Sequence, residues 1–115
     1  MNYIWTSHAK YKMQYYRLSE ARVKRVIHSP KRIEEGIAED TVAMMQPAGS
    51  KAHPYEIWVM LSRSKNHESR IMNNKEELRV NSSKLKVISA WRYPGRTKAG
   101  EALPKEIIRE LREVI

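Results

Sequence analysis

Apolar residues recur at helical spacing along the first third of the chain. Ala9, Met13 and Tyr16 form one row and Tyr11, Tyr15 and Leu18 a second, with Lys10, Lys12 and Gln14 between them. That pattern predicts a helix capped by Thr6 or Ser7 and entered from a short strand, Tyr3-Ile4-Trp5. Ser19 is a second N-cap signal, and Glu20 suits the positive end of the helix that follows. Val23, Val26 and Ile27 give this second helix a buried stripe, Arg22, Lys24 and Arg25 fall off it, and Pro30 ends it.

Beyond Pro30 the period changes from helical to alternating. Ile33 and Ile37 flank Glu35, Thr41 to Gln46 is a short apolar run, and Pro47-Ala48-Gly49-Ser50 reads as a turn. Tyr55, Ile57, Val59 and Leu61 share one face of a strand whose other face carries Trp58 and Met60. Arg63 to Ser69 reads as a polar loop and Asn73-Asn74-Lys75 as a turn. Leu85 to Trp91 is continuous enough to be a strand covered on both faces, ended by Tyr93-Pro94-Gly95. Pro104 suits the first turn of a last helix with Ile107, Ile108, Leu111 and Ile115 as its stripe.

The order helix, helix, strands, helix predicts an α+β fold with a mainly antiparallel sheet, since the alternating units of a doubly wound sheet are missing. Val23, Val26, Ile27, Ile57, Val59, Leu85, Val87 and Ile88 are the expected core. No linker, repeat or low-complexity tract divides residues 1–115, so a single domain is expected.

Composition narrows the function. The sequence lacks cysteine, which excludes disulfide frameworks, thiol nucleophiles and Cys-ligated zinc; it has no long apolar run, and the polar and charged residues of Met1 to Lys12 lead us to expect no secretory leader there. A cytoplasmic setting without membrane attachment is the expectation. The net charge of +9 is unevenly spread: residues 1–33 and 57–100 carry +7 each, while residues 34–56 carry −4 and residues 101–115 carry −1. Two basic segments folded together would make one positive face, which attracts polyanions by releasing their counterions. The same charge is also compatible with a merely soluble surface.

Glycine-rich phosphate loops, the Gly-x-Ser-x-Gly elbow and the His-Glu-x-x-His helix are all absent. His8, His28, His53 and His67 lack ligand spacing, so no metal and no cofactor are expected. Within the first helix, His8 and Lys12 are four residues apart and share a face. An imidazole can carry a proton and an ammonium can hold a phosphate, the parts needed for attack of an RNA 2′-hydroxyl on its own phosphodiester. The alternative is a helix-start histidine bonded locally and a solvated lysine. At the end of the last strand, Ser89, Trp91 and Tyr93 alternate onto one face, with Arg92 opposite unless the strand bulges. This segment is either a nucleotide platform or cover for the core beneath the last helix. Arg96 and Lys98 follow in a glycine-containing stretch.

These residues carry a resemblance. Thr6-x-His8-Ala9-x-x-Lys12-Met13, Leu18-Ser19, Val23-x-x-Val26-Ile27 and Pro30 together resemble a family of small prokaryotic proteins that open with a Thr-x-His-Ala helix. That family is similar to the BrnT-like and RelE-like toxins. Val87-Ile88-Ser89-Ala90 is similar to the Ile-Ser-Ala-Arg strand of the BrnT-like group, although Trp91 stands in the place of its Arg and Arg92 follows one residue later. The resemblance implies two N-terminal helices packed on a mainly antiparallel four- to five-stranded sheet, with a C-terminal helix. It also implies a metal-independent endoribonuclease toxin neutralised by a small antitoxin protein, acting on RNA free or on the ribosome.

On that reading His8 is the general base or acid, Lys12 and Arg92 stabilise the phosphorane, and Tyr93 lies beside them. Lys10, Arg22, Arg25, Trp91 and Arg96 then bind RNA. Two further readings use the same fold: a basic RNA-binding module without catalysis, and a protein-interaction module working through its last helix.

Overall fold

A computed structural model describes residues 2–37, 40–63, 84–101, 103 and 105–114. Along the chain they form β1 (Asn2–Trp5), α1 (Ser7–Tyr16), α2 (Glu20–His28), β2 (Arg32–Glu35), β3 (Thr41–Gly49), β4 (Pro54–Arg63), β5 (Lys84–Pro94) and α3 (Lys105–Val114). The strands make one five-stranded sheet in the order β1-β5-β4-β3-β2. Only β1 is parallel to its neighbour; the other three pairings are antiparallel. The fold is therefore α+β, with helices packed on a mostly antiparallel open sheet. The loop and turn expected at Arg63 to Ser69 and at Asn73-Asn74-Lys75 lie outside the described residues, except that Arg63 ends β4.

Both leading helices start where the caps predict. The Thr6 hydroxyl accepts from the Ala9 N–H and the Ser19 hydroxyl from the Arg22 N–H, each at 3.0 Å. α1 ends at Arg17, whose backbone turns left-handed (φ 56°) and lets the Leu18 N–H reach the Met13 carbonyl at 2.7 Å. α2 ends at His28, ahead of Pro30.

Each face of the sheet has its own core. On one, Val23, Val26 and Ile27 of α2 and Ala9 and Met13 of α1 pack on Ile57, Val59, Leu61, Leu85, Val87 and Ala90. On the other, Ile107 and Leu111 of α3 pack on Ala43, Met45, Trp58, Met60, Ile88 and Trp91. All eight expected core residues are buried. Trp58 and Trp91 stack with centroids 6.1 Å apart, so both faces of β4 are interior.

Two local features depart from simple alternation. β3 does not stop before Pro47 but runs on to Gly49. A proline fits there because β2 has ended: its last pairing is Arg32 with Met45, and no ladder awaits an N–H from Pro47. Gly49 (φ 82°) then makes the turn into β4, where a Cβ would stand 2.2 Å from the His53 carbonyl oxygen. In β5 the register skips a residue: Met60 faces Ser89 while Leu61 faces Val87. Ile88 lies on the α3 face as alternation from Val87 requires, and the extra residue puts Ala90 back on the α2 face and Trp91 on the α3 face.

The position of α1 follows from the shortness of β1. β1 pairs with β5 only over Lys84 to Val87. Thr6 then fixes the turn, its N–H donating to the Val87 carbonyl (3.2 Å) and its hydroxyl to the Ile88 carbonyl (3.1 Å). At the far end of α1 the Arg17 carbonyl accepts from Arg92 at 3.3 Å. α1 thus lies along the edge of β5 where β1 has run out, and Tyr16 packs against both cores.

Candidate nucleic-acid interface

The bulge decides which way the end of β5 points. Trp91 and Tyr93 face α3, and Arg92 faces the α2 side. Trp91 is 1% exposed, so it is a core residue and not a base platform. Tyr93 is half-buried against the same core. Of the two roles open to this segment, cover beneath the last helix is the one the packing shows for Trp91.

Arg92 is opposite Ile57 in the ladder and therefore diagonal to Tyr55. Its guanidinium carbon stands 5.0 Å from the centroid of the Tyr55 ring. Its Nη2 donates to the Arg17 carbonyl, an otherwise spare acceptor at the C-terminus of α1. Its Nε is buried and has no acceptor.

Arg22 approaches the same place from the first turn of α2. Its Nη1 donates to Gln46 Oε1 at 2.6 Å. Gln46 is itself held, because its amide donates to the Arg25 carbonyl (3.0 Å) and the Ser29 carbonyl (2.7 Å). Burial lowers the Arg22 pKa first and the charge of Arg25 second; Tyr55 opposes them, and Arg92 adds the smallest lowering. Arg96, beyond the end of β5, is exposed and donates to the Tyr55 and Ala48 carbonyls. Among the described residues none of Arg22, Arg25, Arg92 and Arg96 is ion-paired; the two ion pairs are Lys12–Glu110 and Arg32–Glu34. Every acceptor that positions Arg22, Arg92 and Arg96 is neutral, so these side chains are held while, among the described residues, no carboxylate cancels their charge; Arg25 is exposed.

The expected catalytic residues do not gather at one point. Lys12 is 5% exposed, and its ammonium meets Glu110 of α3 at 2.7 Å while lying 5.3 and 5.2 Å from the ring centroids of Tyr15 and Tyr16. It is a buried tie between helices rather than a surface cation. His8 stands one turn earlier, its Nε2 buried and unpartnered. Burial first and the Lys12 charge second hold its pKa below the usual imidazole value, against a pull from Glu110 in the other direction. Arg92 sits at the opposite end of α1 from His8, about 13 Å away by helical rise. Tyr93 is on the other side of the sheet. Of the remaining expected RNA contacts, Lys10 is exposed on α1 and Arg25 is exposed on α2.

Sequence reasoning passed over Tyr55 and Gln46 as site residues. The signal for Tyr55 was its place in the Ile57, Val59, Leu61 row, which puts it on the α2 face. Gln46 carried none, since its partners lie in α2 and the turn after it.

Among the described residues no helix is long and apolar enough to cross a membrane, and no three His, Asp or Glu side chains converge as metal ligands. Comparison with known proteins finds no matching family, no matching curated sequence and no matching solved structure.

Proposed function

We propose that this protein binds RNA through the α2 face of its sheet, with Arg22, Arg25, Arg92 and Arg96 on backbone phosphates. The observation that carries the reading is the set of arginines held in place by neutral acceptors. An arginine kept for stability gains most from a carboxylate; one kept for a polyanion must leave its charge available. Phosphate contacts supply affinity without reading sequence, so weak sequence preference is expected. Titration of a fluorescent single-stranded 12-mer by anisotropy tests this. With three or four contacts, log affinity falls against log salt with a slope between about −2 and −3. Absence of binding, or binding indifferent to salt, overturns it.

A second reading is favoured by His8. A neutral imidazole with a free nitrogen, beside Lys12 and Glu110, is suited to accept the proton of a ribose 2′-hydroxyl. This supports a metal-independent endoribonuclease toxin, neutralised by a small antitoxin and acting on free or ribosome-bound RNA. The attack would use the His8–Lys12–Glu110 group, with the arginines holding the strand. Products then end in 2′,3′-cyclic phosphate, chelator has no effect, and His8→Ala slows cleavage by about 10²–10⁴-fold. If the protein never cuts RNA, alone or with ribosomes, only the binding reading stands.

A further inference from the structure

We propose that Arg22 and Arg92 form a seat for a phosphate monoester at the end of an RNA strand, rather than only two of several equivalent backbone contacts. The inference rests on the RNA-binding reading and gives it a ligand class.

Three observations converge on this spot. First, donors are left over. Arg92 spends Nη2 on the Arg17 carbonyl and lays its guanidinium over Tyr55, but its buried Nε–H has no acceptor. That Nε–H is too enclosed for a ligand oxygen to reach, so the donors a phosphate would meet are the terminal Nη groups of the guanidinium. Second, Arg22 is oriented by an acceptor that is itself fixed at two points, which makes a built site rather than a waving side chain. Third, the local charge is more than one anionic oxygen can answer. Gln46, which holds Arg22, is opposite Ile57, and Ile57 is opposite Arg92, so both guanidinium groups belong to one row across the sheet, and among the described residues neither is ion-paired.

An internal phosphodiester carries one negative charge. A terminal monoester carries nearly two near neutral pH and has three acceptor oxygens. Two guanidinium groups with spare N–H donors match the monoester better in both charge and donor count. The Tyr55 ring leaves no face of its own to spare where Arg92 covers it, so recognition is of the phosphate and not of a stacked base.

The test compares one uridine 10-mer with a 5′-phosphate, with a 3′-phosphate and with hydroxyls at both ends, each binding the intact protein at about pH 7.5. The expected result is about tenfold tighter binding for one phosphorylated end than for the hydroxyl strand, and the preferred end identifies the source of the monoester. Arg92→Gln and Arg22→Gln each bring that preference to within about twofold, with thermal melting confirming that they fold. A measurement without substitutions runs beside it: the arginine Nε–Hε NMR resonances of the intact protein, titrated with pUpU, UpUp and UpU. One Hε resonance moves with a phosphorylated dinucleotide and stays with UpU. Equal, salt-sensitive binding of all three 10-mers overturns the seat and leaves the RNA reading standing. Binding of none of them overturns both. Tighter binding of a phosphoserine peptide than of any RNA end also overturns the seat and points to a protein partner.

Discussion

The two faces of the sheet hold arginine in opposite ways. On the α3 side, Arg32 is ion-paired to Glu34 at 3.0 Å, donates to the Thr97 carbonyl (2.8 Å) and hydroxyl (2.5 Å), and lies 5.0 Å from the Trp58 ring centroid. Thr97 in turn donates to the buried Glu56, which also accepts from Trp58 Nε1 at 3.0 Å. Charge there is cancelled, and the network pins the segment after β5 onto the sheet. On the α2 side, Arg22 and Arg92 are held by an amide and a helix-end carbonyl, and among the described residues no carboxylate answers them. Among the described residues Arg32 makes three hydrogen bonds and Arg22 and Arg92 one each, but the number does not say which side chain is free to meet a ligand. The charge of the acceptor does, and it distinguishes an arginine that fastens the fold from one that is offered to a ligand.

Substitutions can break that contrast. The largest effect is expected at Glu56. Glu56→Ala strands the Trp58 indole N–H and both Thr97 donors, and unfolding in urea should show a loss of about 3 kcal/mol, with RNA affinity of the folded protein unchanged. Arg32→Gln should cost about 2 kcal/mol by the same measurement and likewise spare RNA binding. Arg92→Gln should reverse the pattern: affinity about tenfold weaker, a salt slope shallower by about 0.7, and stability within about 0.5 kcal/mol of the parent. If Arg92→Gln unfolds the protein and Arg32→Gln loses RNA, the assignment of the two faces is inverted.

The smallest effect concerns pH. Burial and Lys12 hold the His8 pKa down in the folded protein. The unfolded chain therefore binds that proton more readily, and the contribution of neutral His8 is complete above about pH 6.5 and lost as pH falls. Replacing His8 by Asn should make stability decline less steeply between about pH 7 and 5. An unchanged decline would mean that His8 is not shielded by α3.

Local signals in the sequence were enough for much of the fold. Thr6 and Ser19 mark the starts of α1 and α2, and the Val23, Val26, Ile27 stripe and the Tyr55 to Leu61 alternation identify buried faces because each depends only on neighbours in the chain. What escaped depends on distant partners. Lys12 looks like a solvated charge until Glu110, 98 residues later, is packed against it. Pro47 looks like a strand breaker until β2 is seen to end two pairings earlier. The bulge after Ile88 determines where Trp91 and Arg92 point, and nothing in the composition of β5 announces it. Arg22, Arg25, Arg92 and Arg96 were visible as cations; that Arg22 and Arg92 belong to one row needed the pairing of Gln46 with Ile57 and of Ile57 with Arg92.

The parallel edge strand has a consequence for how the chain comes together. Among the described residues Asn2 to Trp5 find their sheet partners only at Lys84 to Val87, so during synthesis they wait for residues made much later. The helical hairpin of α1 and α2 rests on short-range contacts and can form while synthesis proceeds, and β2, β3 and β4 pair with near neighbours. β1 has no such neighbour. Closing it against β5 spans a loop of roughly 80 residues, an entropic toll that only a nearly finished sheet can repay. Until then Thr6 cannot anchor to Val87 and Ile88, and α1 has no edge to lie along. β1 is thereby the last piece of the sheet to be sewn in.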